Sequence, residues 1–180
     1  MNELNARLVE KIIEYSVSND WIEASQEWYD YDMVVDSTMS ESCICSQPNL
    51  KYQFTIKNKI NGKELFPIGS ECIKFFQDEV MTSSIQIRLD IQALVDHVLA
   101  GKYIAYDSPL FTRKVLTYLH EHGAFKPDDT SLLTEDALFE IFWKSRFSYK
   151  TASVSQIRTS KRTIMTNIIP YCKNFNQGDN

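Results

Sequence analysis

Glycine and proline are scarce in this chain, five of each in 180 residues, which leaves little material for long linkers and predicts one compact body. Cysteine is scarce too. Four thiols in a chain long enough to bury a substantial core do not make a disulfide framework, so metal binding or plain burial is the expected use. No apolar run is long enough to span a bilayer, because the most apolar segment, Ile85 to Ala100, is interrupted by Arg88, Asp90, Asp96 and His97. Met1 to Ala6 carries Glu3 ahead of any basic side chain and lacks the apolar stretch of a signal peptide, which predicts a cytoplasmic protein. Phosphate loop, G-x-S-x-G elbow and H-E-x-x-H helix are all missing. Nothing in the chain favours a Cys-His nucleophile pair, so no enzyme is expected.

Basic residues are outnumbered, 19 against 24 acids, for a formal net charge of −5. The excess lies at the amino-terminal end: between residues 1 and 50, ten acids (Glu3, Glu10, Glu14, Asp20, Glu23, Glu27, Asp30, Asp32, Asp36, Glu41) face Arg7 and Lys11. The opposite block is Lys144, Arg146, Lys150, Arg158, Lys161 and Arg162, with no acid among them. Either block read alone is a solvated face. The functional reading of the first is an acidic, aromatic surface, Glu27-Trp28-Tyr29-Asp30-Tyr31-Asp32, suited to a basic partner. The second could hold phosphate, although an acidic chain carries an electrostatic cost in approaching nucleic acid.

Leu4, Leu8, Ile12 and Ile13 recur at helical spacing and predict a first amphipathic helix ending near Asn19. Asp20 with Glu23 has the form of a capping box opening a second helix, on which Trp21 and Trp28 would lie two turns apart on one face. The period then changes. Tyr52, Phe54 and Ile56 alternate with Lys51, Gln53, Thr55 and Lys57, Asn61-Gly62 supplies left-handed turn residues, and Lys63 to Ile68 returns as a partner strand. Ser70 is the expected cap of a short helix carrying Cys72, Ile73, Phe75 and Phe76. Beyond it the start and stop signals predict helices from Ser84 to Ala100, Ser108-Pro109 to His122, Thr134 to Lys144, and Ser153 to about Tyr171. His120 and His122, two apart on a helix, point to different sides, and a cap role before Gly123 suits them better than a shared metal.

The expected class is therefore a mostly helical α+β protein, a small zinc-bound hairpin–helix module packed against a helical body. Its parts are acidic amino-terminal helices over 1–42, the module over 43–80, a helical region over 81–173 and a flexible tail over 174–180.

The module is the most informative part. Cys43-Ile44-Cys45, a hairpin, then Cys72 at the start of a helix would bring three sulfurs together once the hairpin folds back, and a helix amino terminus favours anionic sulfur. Zinc suits such soft ligands, and four-coordination is the norm for a structural site. The fourth ligand is open: Cys172, His97, His120, His122 and Glu71 are the candidates. The contrary reading is that all four cysteines are small buried hydrophobes.

This arrangement resembles treble-clef and zinc-ribbon units, departing from them in its C-x-C pair and in the single cysteine on the helix. It is more closely similar to a motif of small phage and mobile-element proteins, carried by Cys43-Ile44-Cys45, Ile56 with Asn58, Asn61-Gly62, and Ile68-Gly69-Ser70-Glu71-Cys72-Ile73 with Phe75 or Phe76. In such motifs a histidine can follow the first pair; here Gln47 stands there. Taken whole, the chain is similar to the zinc-containing anti-CRISPR proteins of prophages that inhibit the type II effector Cas9. That resemblance implies a non-enzymatic protein that binds Cas9 stoichiometrically and blocks its nucleic-acid surfaces, with Cys43, Cys45 and Cys72 as structural zinc ligands and Glu27 to Asp32 as contact residues. The alternative is a zinc-stabilised nucleic-acid-binding or regulatory phage protein using residues 144–162; a hydrolase or nuclease would need an open catalytic metal.

Overall fold

The computed structural model describes residues 3–127, 131–148 and 150–175. The class is α+β and mostly helical, as the sequence predicts. Contacts divide the chain into two compact units, Met1–Arg88 and Leu89–Asn180, where the reading of the sequence was of one domain. Each unit carries its own buried apolar set: Leu8, Ile12, Trp28, Phe54, Ile56, Ile68 and Ile73 in the first, Phe111, Leu116, Leu119, Phe125, Phe142, Ile164 and Ile168 in the second.

The first unit opens with α1 (Glu3–Tyr15) and α2 (Trp21–Gln26). Asp20 caps α2, accepting from the amides of Ile22 and Glu23. The reciprocal half of the expected capping box is not made, because Glu23 accepts the Ser18 hydroxyl at 2.8 Å instead. Helix α2 also ends before Trp28, which is a correction to the amino-terminal helices expected over 1–42. Residues Trp28–Val35 form strand β1, paired antiparallel to β2 (Tyr52–Asn58), which pairs in turn with β3 (Glu64–Ile68). The run Trp-Tyr-Asp-Tyr-Asp-Met-Val-Val is rich in aromatic and β-branched residues, and the long-range pairing overrides the apparent helical spacing of the two tryptophans. Register slips between Asp30 and Asp32, so Tyr31 stands in a bulge.

The hairpin turn forms at the predicted place, with Gly62 at φ 73°. Its return strand leads into α3 (Ser70–Lys74), where Gly69 is the N-cap and Ser70, expected as the cap, is already helical. Trp21 packs its ring 5.5 Å from Phe75 and 5.7 Å from Phe76, fixing the far end of α3 to the start of α2.

Helix α4 (Glu79–Leu99) begins a turn earlier than Ser84, and the boundary between the two units falls within it. In the second unit, α5 (Arg113–Glu121) starts after a Thr112 cap and not at Ser108-Pro109. Thr134 caps α6 (Glu135–Phe147) as predicted, and Ser153 opens α7 (Val154–Thr163) with a complete capping box to Gln156. The single last helix expected from Ser153 is interrupted: Ile164–Ile168 is a π-helical turn before α8 (Ile169–Asn174). His122 is the C-cap of α5, its Nδ1 2.8 Å from the Tyr118 carbonyl, in keeping with the cap role. Residues 176–180 of the expected tail lie outside the described residues. No described helix is long and apolar enough to cross a membrane.

Candidate metal centre

The loop after β1 carries Cys43 and Cys45, and α3 carries Cys72. One backbone bond joins these segments and another closes the loop on itself, without any help from the sulfurs. The Ile44 amide donates to the Pro67 carbonyl on β3 at 3.0 Å, and the Cys43 amide donates to the Gln47 carbonyl at 2.8 Å. Ser46, at φ 77°, turns the chain back between them. Arg7 of α1 donates to the Ser46 hydroxyl at 2.8 Å, which sets a guanidinium beside the turn. The hairpin then does what its length requires: β3 ends beside the loop, and Gly69 delivers Cys72 to the first turn of α3.

The result is a cluster. The sulfurs of Cys43 and Cys72 are 3.5 Å apart and those of Cys72 and Cys45 3.3 Å, with all three within 4.8 Å of one another. A disulfide would need about 2.05 Å. Tetrahedral zinc with Zn–S bonds of about 2.3 Å separates its sulfurs by about 3.8 Å, so the three thiols need to open only slightly to hold such an ion. Cys43 and Cys45 are buried and Cys72 is half-buried.

Amides converge on the same sulfurs. The Gly69 amide donates to Cys43 Sγ at 3.4 Å. The amide of Cys45 also donates to Cys43, and that of Gln47 donates to Cys45. Hydrogen bonding from the Cys72 thiol brings the Cys43 thiol down to about 5, against its burial and with help from these amides. Cys72 moves the other way, driven well above the ordinary thiol range by its bond to Cys43, by burial and by charge on Cys43. Burial raises Cys45, with the Gln47 amide opposing. Three neighbouring sulfurs thus share one negative charge readily and three only with a cation among them. A soft divalent ion fits this donor set.

Three of the four predicted ligands therefore come together. Cys172 does not belong to the group; it is buried in α8 of the second unit, and desolvation pushes its thiol up to about 12. The other candidates for a fourth ligand have local partners: Glu71 pairs with Lys74 at 2.6 Å, His97 Nε2 is 3.0 Å from the Tyr103 carbonyl, and His120 Nε2 is 3.0 Å from Asp136. Among the described residues no other histidine, cysteine or carboxylate joins the three sulfurs.

The acidic aromatic segment needs a correction. Of its six residues, three are built into the first unit. Trp28 is 1% exposed and donates from Nε1 to the Ser16 hydroxyl at 2.8 Å. Glu27, 4% exposed, accepts from the amides of Val17 and Ser18, each at 2.8 Å, and from Asn58 Nδ2 at 2.6 Å. The Asp30 side chain is 2% exposed, bonded to Arg88 at 2.8 Å and Ser84 at 2.6 Å. Alternation on β1 turns Trp28 and Asp30 to the same, buried side, and Glu27, the C-cap of α2, is drawn in by its bonds to Val17, Ser18 and Asn58. Tyr29, Tyr31 and Asp32 remain exposed on the edge strand, with Lys57 Nζ 4.5 Å over the Tyr31 ring. Arg7, Ser46 and the Gly69 amide were not legible as parts of the centre, because only folding brings them to the thiols.

No family model matches the chain, and no curated protein or solved structure matches it either.

Proposed function

We propose that this chain is a non-enzymatic binding protein whose hairpin–helix module is closed by a structural zinc ion on Cys43, Cys45 and Cys72. In line with the resemblance of its cysteine motif, we read it as an anti-CRISPR protein that binds type II Cas9 stoichiometrically in the bacterial cytoplasm and blocks target-DNA loading or cleavage. The observation that carries the zinc reading is the meeting of three sulfurs from two separate segments around one point. Supporting the binding reading is the exposed edge of β1, where Tyr29, Tyr31 and Asp32 offer aromatic contact area and negative charge to an effector that holds its nucleic acids in positively charged channels. The direct test is capture of target DNA by guide-loaded Cas9 with and without equimolar purified protein. Undiminished capture and cleavage, with no complex on a sizing column, would remove the Cas9 reading.

A second reading is favoured by one feature of the other unit. Arg158, Lys161 and Arg162 are exposed on successive turns of α7, with Lys144 and Lys150 exposed before them. Salt-dependent binding of the chain alone to DNA or RNA, abolished by replacing these three residues of α7, would select a nucleic-acid-binding protein instead.

A further inference from the structure

We infer that the metal centre has a fourth coordination position that the chain's described residues leave open, and that it takes a neutral nitrogen donor of the imidazole class from outside the chain. The inference rests on the metal reading above. Three observations carry it.

First, the ligand set stops at three among the described residues, whereas four ligands is the norm for zinc on thiolates. The other expected donors have partners of their own: Glu71 with Lys74, His97 with the Tyr103 carbonyl and His120 with Asp136. A water molecule is then the resting occupant, as in zinc sites with three protein ligands.

Second, the cluster lies next to exposed chain. Cys43 and Cys45 are 3% and 1% exposed, while Cys72 is half-buried. The residues that follow Cys45, Ser46 to Asn49, are all exposed, so an incoming group has a path.

Third, charge selects the donor. Three thiolates around a divalent ion carry a net −1, and the guanidinium of Arg7, bonded to Ser46 next to Cys45, lies on the same loop as a counter-charge. A fourth thiolate or a carboxylate would bring the centre to −2. Imidazole adds no charge, and its nitrogen is an ordinary zinc ligand. Exchange requires no redox step: the water oxygen leaves as the ring nitrogen binds.

The experiment uses the full chain loaded with cobalt(II), a spectroscopic substitute for zinc with the same ligands. Free imidazole is titrated in while the visible ligand-field bands are followed. A saturable shift of those bands, with thiolate-to-metal charge transfer and one metal per chain retained, is the expected result. Bands indifferent to imidazole overturn this inference while leaving the zinc reading intact. Failure of the chain to bind cobalt or zinc at all overturns both. Bands that move with protein concentration in the absence of imidazole, and stop doing so when His97, His120 and His122 are replaced, support the open position and identify a second copy as the donor.

Discussion

The sulfurs of Cys45 and Cys72 lie 3.3 Å apart although 27 positions and a complete hairpin separate them in the chain. The Ile44 amide, bonded to the Pro67 carbonyl, ties the loop to the end of the hairpin, and the turn from Gly69 to Cys72 then sets the third sulfur beside it. The metal would therefore lock an approach that the hairpin already specifies, and its binding free energy would add to that of folding. Replacing Cys72 by alanine, or treating the protein with a strong chelator, should lower the melting temperature. A loss of about 4 kcal/mol corresponds to about 10 °C for a chain of this size. Cys172→Ala should leave metal content unchanged, since that thiol stands apart from the group. Calorimetry and elemental analysis on the same samples read both effects.

Gln47 offers a gain-of-ligand test. Its carbonyl accepts from the Cys43 amide at 2.8 Å and its own amide donates to Cys45, so the residue borders the thiols, with its side chain in an exposed stretch. Gln47→His should supply the missing fourth donor in cis and tighten zinc by at least tenfold, about 1.4 kcal/mol. Competition against a chromogenic chelator measures it. Unchanged affinity would mean that residue 47 points away from the ion.

Glu27 is a buried carboxylate that nonetheless stays ionised below its ordinary range. Burial works against the charge, and the bonds from Asn58, Val17 and Ser18 more than offset it. The sign follows. With the folded value below the ordinary 4.5, the stabilisation is complete above about 4.5 and drains away as pH falls through the lowered value. Glu27→Gln should cost about 1.5 to 3 kcal/mol at neutral pH, the scale of hydrogen bonds to a charged group. It should also flatten the fall of melting temperature as pH drops below about 4.5. Thermal melts of both proteins across that window give the answer, and parallel curves would contradict it.

Much of this centre was legible because it is local. The C-x-C pair, the alternation of Tyr52 to Lys57, Asn61-Gly62 and the segment around Cys72 each follow from short-range chemistry. Strand β1 was not, since seven positions from Trp21 to Trp28 read equally well as two helical turns. Only the pairing of Trp28 with Asn58, 30 residues downstream, decides for a strand. The same long-range event turns Glu27 and Asp30 inward, converting two residues of an expected acidic surface into buried anchors. The one local mark of the π-helical turn at Ile164–Ile168 is Pro170 just beyond it, which has no amide to donate to the carbonyl four residues back and so breaks the regular helix there.

Arg88 tests one of those anchors. Its Nε reaches the buried Asp30 carboxylate, whose other oxygen, Oδ1, has no hydrogen-bond partner. Arg88→Ala leaves that charge with only the Ser84 hydroxyl and should destabilise by at least about 2 kcal/mol, toward the lower end for a broken ion pair because the guanidinium itself is partly exposed. The double variant with Asp30→Asn should recover part of the loss. A denaturant series on the two single variants and the double variant measures the coupling, and strictly additive losses would show that the pair contributes nothing together.

The exposed remainder of β1 should separate binding from stability. Tyr29 and Tyr31 meet edge to face with ring centres 6.3 Å apart, and both point away from the buried side of the sheet. Truncating exposed aromatics costs little in folding, whereas at the centre of an interface each is worth more than about 1 kcal/mol. Tyr29→Ala combined with Tyr31→Ala should therefore weaken Cas9 binding by more than about 10-fold while the melting temperature stays within a few degrees. Asp32→Lys should slow association most at low salt, because an acidic rim residue steers a basic partner. Full affinity in both variants would move the contact surface off this strand, and the charge-reversed Arg158, Lys161 and Arg162 variant would then be the next to measure.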